Sequence, residues 1–172
     1  GVGVQGGKNS IVRGCIVENC RGHGFHPGTS TREGIWTGNI ARNNTRDGFY
    51  FCRNVLHAVC ENSIFVHNDG HGIGGLTEPD RYNIVANNIC SNNGRHGIDA
   101  FRSIGNTIRG NICKNNSQEE AGKYAGIYLS EHTGTMVTGN QCFDNQETST
   151  QKQGLVVQTP DKNNFVSENH VY

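Results

Sequence analysis

Val12-Arg13-Gly14-Cys15-Ile16 returns as Trp36-Thr37-Gly38-Asn39-Ile40, as Cys60-Glu61-Asn62-Ser63-Ile64 and as Val85-Ala86-Asn87-Asn88-Ile89. It runs on through Ile108-Arg109-Gly110-Asn111-Ile112, Val137-Thr138-Gly139-Asn140-Gln141 and Val166-Ser167-Glu168-Asn169-His170. The interval is about 24 residues, a period at which each unit buries its apolar side only by stacking on its neighbours. A second landmark, Gly followed by an apolar residue, recurs at Gly3-Val4, Gly24-Phe25, Gly48-Phe49, Gly72-Ile73, Gly97-Ile98, Gly126-Ile127 and Gly154-Leu155. Short apolar segments joined by Gly- and Asn-rich corners read as strands and turns. Residues 1–172 are therefore expected to form one all-β domain, a single-stranded parallel β-helix (solenoid) of about seven coils.

Stacking the copies sorts the side chains into columns. Val12, Trp36, Cys60, Val85, Ile108, Val137 and Val166 read as one inward column, and Ile16, Ile40, Ile64, Ile89 and Ile112 as another. A third holds Val17, Ala41, Phe65, Cys90, Cys113 and Cys142; a fourth follows the glycines from Val4 through Phe25, Phe49, Ile73, Ile98 and Ile127 to Leu155. Parallel strands with a buried face require such continuous apolar columns. Asn44, Asn68, Asn93, Asn116 and Asn145 line one corner, where stacked amides are expected to hydrogen-bond from coil to coil.

Composition agrees with this architecture. Only 33% of the residues are hydrophobic and mean hydropathy is −0.60, yet the chain carries no net charge, so its polarity is not that of a disordered polyelectrolyte. The balance of 15 basic and 15 acidic residues, without a long block of either, gives no reason to expect a nucleic-acid partner. No apolar run reaches the length of a membrane span. The seven cysteines lack the paired spacing of a zinc site and read as free thiols filling apolar positions, with a Cys15–Cys20 disulfide as the alternative. The chain begins inside a repeat, so it reads as part of a longer, secreted or extracellular protein.

The outward positions carry chemistry. The residue before each glycine landmark reads Val2, His23, Asp47, His71, His96, Ala125 and Gln153. Two positions after it stand Gln5, His26, Tyr50, Gly74, Asp99, Tyr128 and Val156, with Arg53 and Arg102 slightly further on. Stacking gathers these groups into a strip that titrates near neutral pH. Such a strip suits proton abstraction next to a sugar carboxylate. That reaction needs a cation to neutralise the acid, a base to take the proton, and an acid to protonate the leaving oxygen or the opposite face. A metal site of His23, Asp47, His71 and His96 would lie along one flat column and not surround an ion, so no metal and no cofactor is expected.

His23-Gly24-Phe25-His26-Pro27-Gly28, followed one coil later by Asn43-Asn44-Thr45-Arg46-Asp47-Gly48-Phe49, resembles the catalytic module of mannuronan C5-epimerases. The signature of that family runs Tyr-Gly-Phe-Asp-Pro-His, then a catalytic Asp in Asp-Gly-Phe one coil on. Gly24, Phe25, Pro27, Asp47, Gly48 and Phe49 match; His23, His26 and Gly28 stand where the family has Tyr, Asp and His. The resemblance implies a right-handed coil and a polysaccharide partner, a uronic-acid polymer, altered by epimerisation or by lyase β-elimination. In this reading Asp47 and His26 orient the sugar carboxylate, assisted by Arg53 or Arg102. His23 or His71 is the base, Tyr50 the acid, and His96 and Asp99 line the next subsite. The competing reading is a non-catalytic extracellular solenoid, structural or adhesive, that associates end to end or laterally. A groove walled by the longer coils, Asn116 to Ala125 and Asn145 to Gln153, favours catalysis; a flat strip favours structure.

Overall fold

The computed structural model of the chain describes residues 1–102, 104–158 and 162–172, and they form a right-handed parallel β-helix. The repeat dictates three faces, because each coil contributes three short strands. The first sheet stacks Val2–Val4, Phe25–Pro27, Phe49–Tyr50, Ile73–Thr77, Ile98–Phe101, Ala125–Ser130 and Gln153–Gln158. The second stacks Ile11–Arg13, Ile35–Thr37, Val59–Glu61, Ile84–Ala86, Thr107–Arg109, Met136–Thr138 and Phe165–Ser167. The third runs from Ile16–Glu18 through Ile40–Arg42, Ile64–Val66, Ile89–Ser91, Ile112–Lys114 and Gln141–Phe143 to His170–Val171. All pairings are parallel, coil upon coil. Among the described residues no helix is long and apolar enough to cross a membrane.

The corner between the second and third sheets shows why Gly and Asn recur. Gly14, Gly38, Asn62, Asn87, Gly110, Gly139 and Glu168 all have φ between 50° and 65°, the left-handed region that Gly and Asn enter at least cost. The glycine landmark has a different cause. A Cβ on Gly48 would stand 2.8 Å from the Gly72 carbonyl oxygen and 3.0 Å from Phe65 Cβ, so the first sheet meets the third only where a side chain is missing.

The column from Val12 to Val166 lies in register along its whole length. The core beside Trp36 is aromatic: Phe49 meets Trp36 edge-on at 5.7 Å, Phe65 at 5.9 Å and Phe51 at 4.9 Å. Rings in such contact add about 0.5–1.5 kcal/mol each beyond their buried area. Cys60, Cys90, Cys113 and Cys142 are fully buried small apolar groups, and all seven cysteines are free, so the Cys15–Cys20 bridge is not formed.

Three expectations change. The Ile16–Ile112 column is in register but faces out, with Ile16 61% and Ile64 36% exposed. Successive strand residues alternate faces, and the neighbouring Val17–Cys142 column already holds the inward one. In the first coil Val2, not Val4, pairs with Phe25, and Gly3 pairs with His26. Gly1 is therefore the landmark, because a start at Gly3 leaves too few residues for a full coil. The Asn ladder ends on Gln151 and not on Asn145. Asn116 donates both its backbone N and its Nδ2 to Gln151 Oε1, at 3.3 and 3.0 Å. The long segment before Gln153 displaces Asn145 outward, where it pairs with Asn115 instead.

A second amide ladder, not expected as one, passes through Asn39, Ser63, Asn88, Asn111, Asn140 and Asn169. In both ladders a side-chain oxygen of one coil accepts the backbone N–H of the coil before it. These corners are buried, and an unpaired N–H there would carry its full desolvation cost.

Candidate functional site

The outer face of the first sheet and the corner leading into it form an open groove of about 1150 Å³. His23, Asp47, Tyr50, His71 and Asp99 line it. Its floor follows from the fold: Asp47 and His71 precede the glycine landmark on successive coils, while Tyr50 and Asp99 stand at the outward positions just after it. Gly74 falls between them and leaves a hollow. A Cβ there would come within 2.9 Å of Asp47 Oδ2 and 3.2 Å of the His71 ring.

Part of the strip is a backbone-satisfying ladder running opposite to the Asn ladders. Asp47 N donates to His23 Nδ1 at 3.3 Å, His71 N to Asp47 Oδ1 at 2.7 Å, and Ala125 N to His96 Nδ1 at 2.8 Å. His71 breaks the series. Its Nδ1 is buried and has no hydrogen-bond partner, while its Nε2 lies 3.9 Å from Asp99 Oδ2. Asp47 Oδ2 lies 3.3 Å from His23 Nδ1, and the His23 ring stacks on Tyr50 at 4.3 Å.

The electrostatics follow from burial. Desolvation, reinforced by His71, lowers the His96 pKa to about 3, so His96 is neutral and holds its Nδ1 lone pair toward Ala125 N–H. Burial raises the Tyr50 pKa, with Cys52 and Asp47 adding to it, and the phenol keeps its proton. Burial also raises the Asp99 pKa, opposed by His71. His96 supplies a sign-definite prediction. Its folded pKa lies below the unfolded value of 6.5, so the unfolded chain binds more protons over that interval. Stability is then lost as pH falls from about 6.5 toward 3. His96→Gln keeps an acceptor for Ala125 N–H and should flatten that slope in chemical denaturation; an unchanged slope counts against the assignment.

Other expected residues sit elsewhere. His26 stands beside the groove, its ring 5.5 Å from His23 and 5.6 Å from Tyr50, with Nε2 buried and unpartnered; burial and then His23 lower its pKa. His96 stacks behind His71 at 5.4 Å and against Tyr128 at 4.8 Å. Arg53 and Arg102 do not line the groove. Arg53 is exposed at a left-handed corner, and Arg102 is bound by Glu131 at 2.6 Å.

The groove's cations are instead Arg46 and Arg95. Each stands one residue before the strip, ahead of Asp47 and His96, and that adjacency is the signal the sequence offered. The wall comes from the longer coil after Asn116: Gln118 and Glu119 line the groove, and Glu119 Oε2 accepts from Arg95 Nε at 2.8 Å. The second long segment braces this wall, since Gln118 Nε2 donates to Gln146 Oε1 and Thr150 Oγ1.

Solved structures share the coil. A double mutant of the periplasmic alginate epimerase AlgG matches 97% of this chain with a TM-score of 0.80 at 15% identity. The chain spans 47% of that protein's length. The A-module of the Azotobacter vinelandii mannuronan C-5 epimerase AlgE6 matches 95% of the chain and 64% of its own, with a TM-score of 0.48 at 15% identity. An alginate lyase from Paenibacillus sp. matches 91% of the chain and 79% of its own, with a TM-score of 0.50 at 9% identity. No curated protein matches the chain significantly. The family model described as periplasmic copper-binding protein (NosD) matches residues 1–149 and again residues 59–172, and the chain belongs to that family.

Proposed function

We propose that the groove acts on a polysaccharide, a polymer of uronic acids, by abstracting the proton next to a sugar carboxylate, as an epimerase or a lyase. The break in the ladder at His71 carries the reading. His23, Asp47 and His96 are each engaged by a backbone N–H, but none engages His71, whose Nε2 is turned toward Asp99 in a groove that also holds a phenol and two arginines. His71 is the base, and Asp99, 3.9 Å from its Nε2, stabilises the imidazolium that forms. Tyr50, its proton retained by burial, is the acid. Arg46 and Arg95 neutralise the sugar carboxylate, and Asp47 orients His23 and the backbone of His71. The acidic side chains do not repel the polymer unopposed: Glu119 is paired with Arg95, and Asp99 faces His71.

The family description names copper. Among the described residues no three His, Cys, Asp or Glu side chains converge as ligands must, and four cysteines are sealed in the core, so the residues do not fit a copper centre. The family and AlgG are both described as periplasmic, which supports a location outside the cytoplasm. Alginate, polyguluronate, polygalacturonate and glucuronan, incubated with the wild type and with His71→Ala, test the reading. The expected result is a new uronate epimer by NMR, or an unsaturated product absorbing in the ultraviolet, from the wild type only. The polar ladder favours a second reading, a structural solenoid whose outward column serves its own backbone. That reading gains if no polymer changes, or if His71→Ala matches the wild type.

A further inference from the structure

The wall of the groove is fastened to the coil beneath it. Ser117 N donates to Arg95 O at 2.9 Å, Gln118 N to Asn93 O at 3.1 Å, and Glu119 N to Gly94 O at 2.9 Å. The Gln118 amide is held by Asn115 O as well as by Gln146 and Thr150. The backbone of Glu119 is thereby fixed beside Arg95, and its carboxylate engages only one of that residue's nitrogens, Nε. Among the described residues the Arg95 Nη groups have no partner, unlike those of Arg102, where Nε and Nη2 both reach Glu131. A guanidinium is planar, so a hydrogen bond at Nε on a fixed acceptor sets the plane and direction of the Nη pair. Arg46, on the same groove, has no such brace and forms no ion pair among the described residues.

We infer that Glu119 is a positioning residue, which holds Arg95 so that its Nη pair is a preset receptor for the carboxylate of an acidic sugar. The inference rests on the reading of the groove as a uronate site and names the contact that selects the acid group. A receptor ordered in advance loses less freedom on binding, and two parallel N–H donors match a carboxylate. It also fixes the sign of an effect that charge alone would reverse. Removing an acidic group from the wall makes the groove more positive, so a Glu119 that merely repelled the ligand would bind it more tightly once truncated. A Glu119 that orients Arg95 would bind it less tightly.

The experiment is a titration of the protein with glucuronate, following the Arg95 side-chain nitrogens by ¹⁵N NMR in the wild type, Glu119→Gln and Glu119→Ala. The Nη signals should respond in the wild type. Glu119→Gln keeps an acceptor for Nε and should bind at least as well. Glu119→Ala should bind about tenfold more weakly, the scale of one lost charge-assisted contact. On any polymer turned over, it should raise KM and leave kcat nearly unchanged. Tighter binding by Glu119→Ala, or Arg95 signals that ignore glucuronate, overturns the inference. Glucuronate binding with the expected order but no turnover of any polymer overturns the proposed activity and leaves the inference standing.

Discussion

Asn111→Leu is expected to destabilise the solenoid by about 3 kcal/mol, through one buried N–H left without a partner at about 1–3 kcal/mol and the other bonds lost with the amide. Asn111 is fully buried. Its Oδ1 accepts from Asn88 N at 3.0 Å and from Asn88 Nδ2 at 3.1 Å, and its Nδ2 donates to Val85 O and to Asn140 Oδ1, each at 3.0 Å. Leucine has nearly the same shape and none of these bonds. Asn88 Nδ2 retains Cys60 O, Asn140 Oδ1 retains the Asn111 backbone N–H, and the Val85 carbonyl keeps its place in the parallel ladder with the Thr107–Arg109 strand, but the Asn88 N–H is orphaned. Urea unfolding followed by far-ultraviolet circular dichroism measures the loss. Asn145→Leu, whose bonds to Asn115 face solvent, is the control and should stay within about 0.5 kcal/mol of the wild type. Each coil touches only its neighbours, so faster amide exchange should spread outward from residues 85–88 and 108–112. Equal stability of Asn111→Leu and the control would show that the ladder contributes little.

Asp47→Asn is expected to lower kcat on the responsive polymer by at least about a hundredfold, the usual weight of a group that assists proton transfer. The substitution is nearly silent structurally. The amide oxygen still accepts from His71 N, so the coil and its melting behaviour should persist. What disappears is the negative charge beside His71, where positive charge gathers during proton transfer. KM should move less than kcat, because Arg46 and Arg95 still neutralise the sugar carboxylate. Full turnover by a normally folded Asp47→Asn would remove the carboxylate from the chemistry and return it to the backbone-bonding role that the ladder also gives it.

The fold was legible because its strongest signal is periodic. Trp36 and Cys60 share no chemistry, yet their equal distance from the next Gly or Asn corner places both in one column, and the pairing of Trp36 with Cys60 agrees. Where the reading failed, two periods competed. Ile16 and Val17 both recur with the coil, but only alternation along the strand decides which one is inward, and the more hydrophobic-looking column was the outer one. The Gln151 rung was hidden by an insertion that breaks the count.

The candidate strip was legible from the same columns, and His23, Asp47, Tyr50, His71 and Asp99 share one groove. Arg53 and Arg102 seemed equally close in sequence, but both sit at left-handed corners, which turn their side chains out of the strip. Arg46 and Arg95 carried no periodic mark, because Gly70 occupies the intervening coil. The uncommitted Nδ1 of His71 is a matter of geometry that no sequence pattern encodes.

The two amide ladders give the stack a sense. In every rung the N–H points toward the C-terminal side and the side-chain oxygen faces back, from Cys15 and Asn39 to Asn140 and Asn169, and from Cys20 and Asn44 to Asn116 and Gln151. Aligned amides polarise one another, so the rod is a one-way array of dipoles. A grafted coil is therefore not interchangeable between the two ends. Beyond His170 it must bring an oxygen from Asn, Ser or Gln for the Asn169 N–H, the Gln151 N–H being already held by Asp144, whereas ahead of Val2 its own corner N–H groups would meet Cys15 and Cys20, which carry no oxygen. A designer lengthening the groove must bring the oxygen with the new coil at one end, but at the other must first build it into the existing chain, at the two cysteine positions.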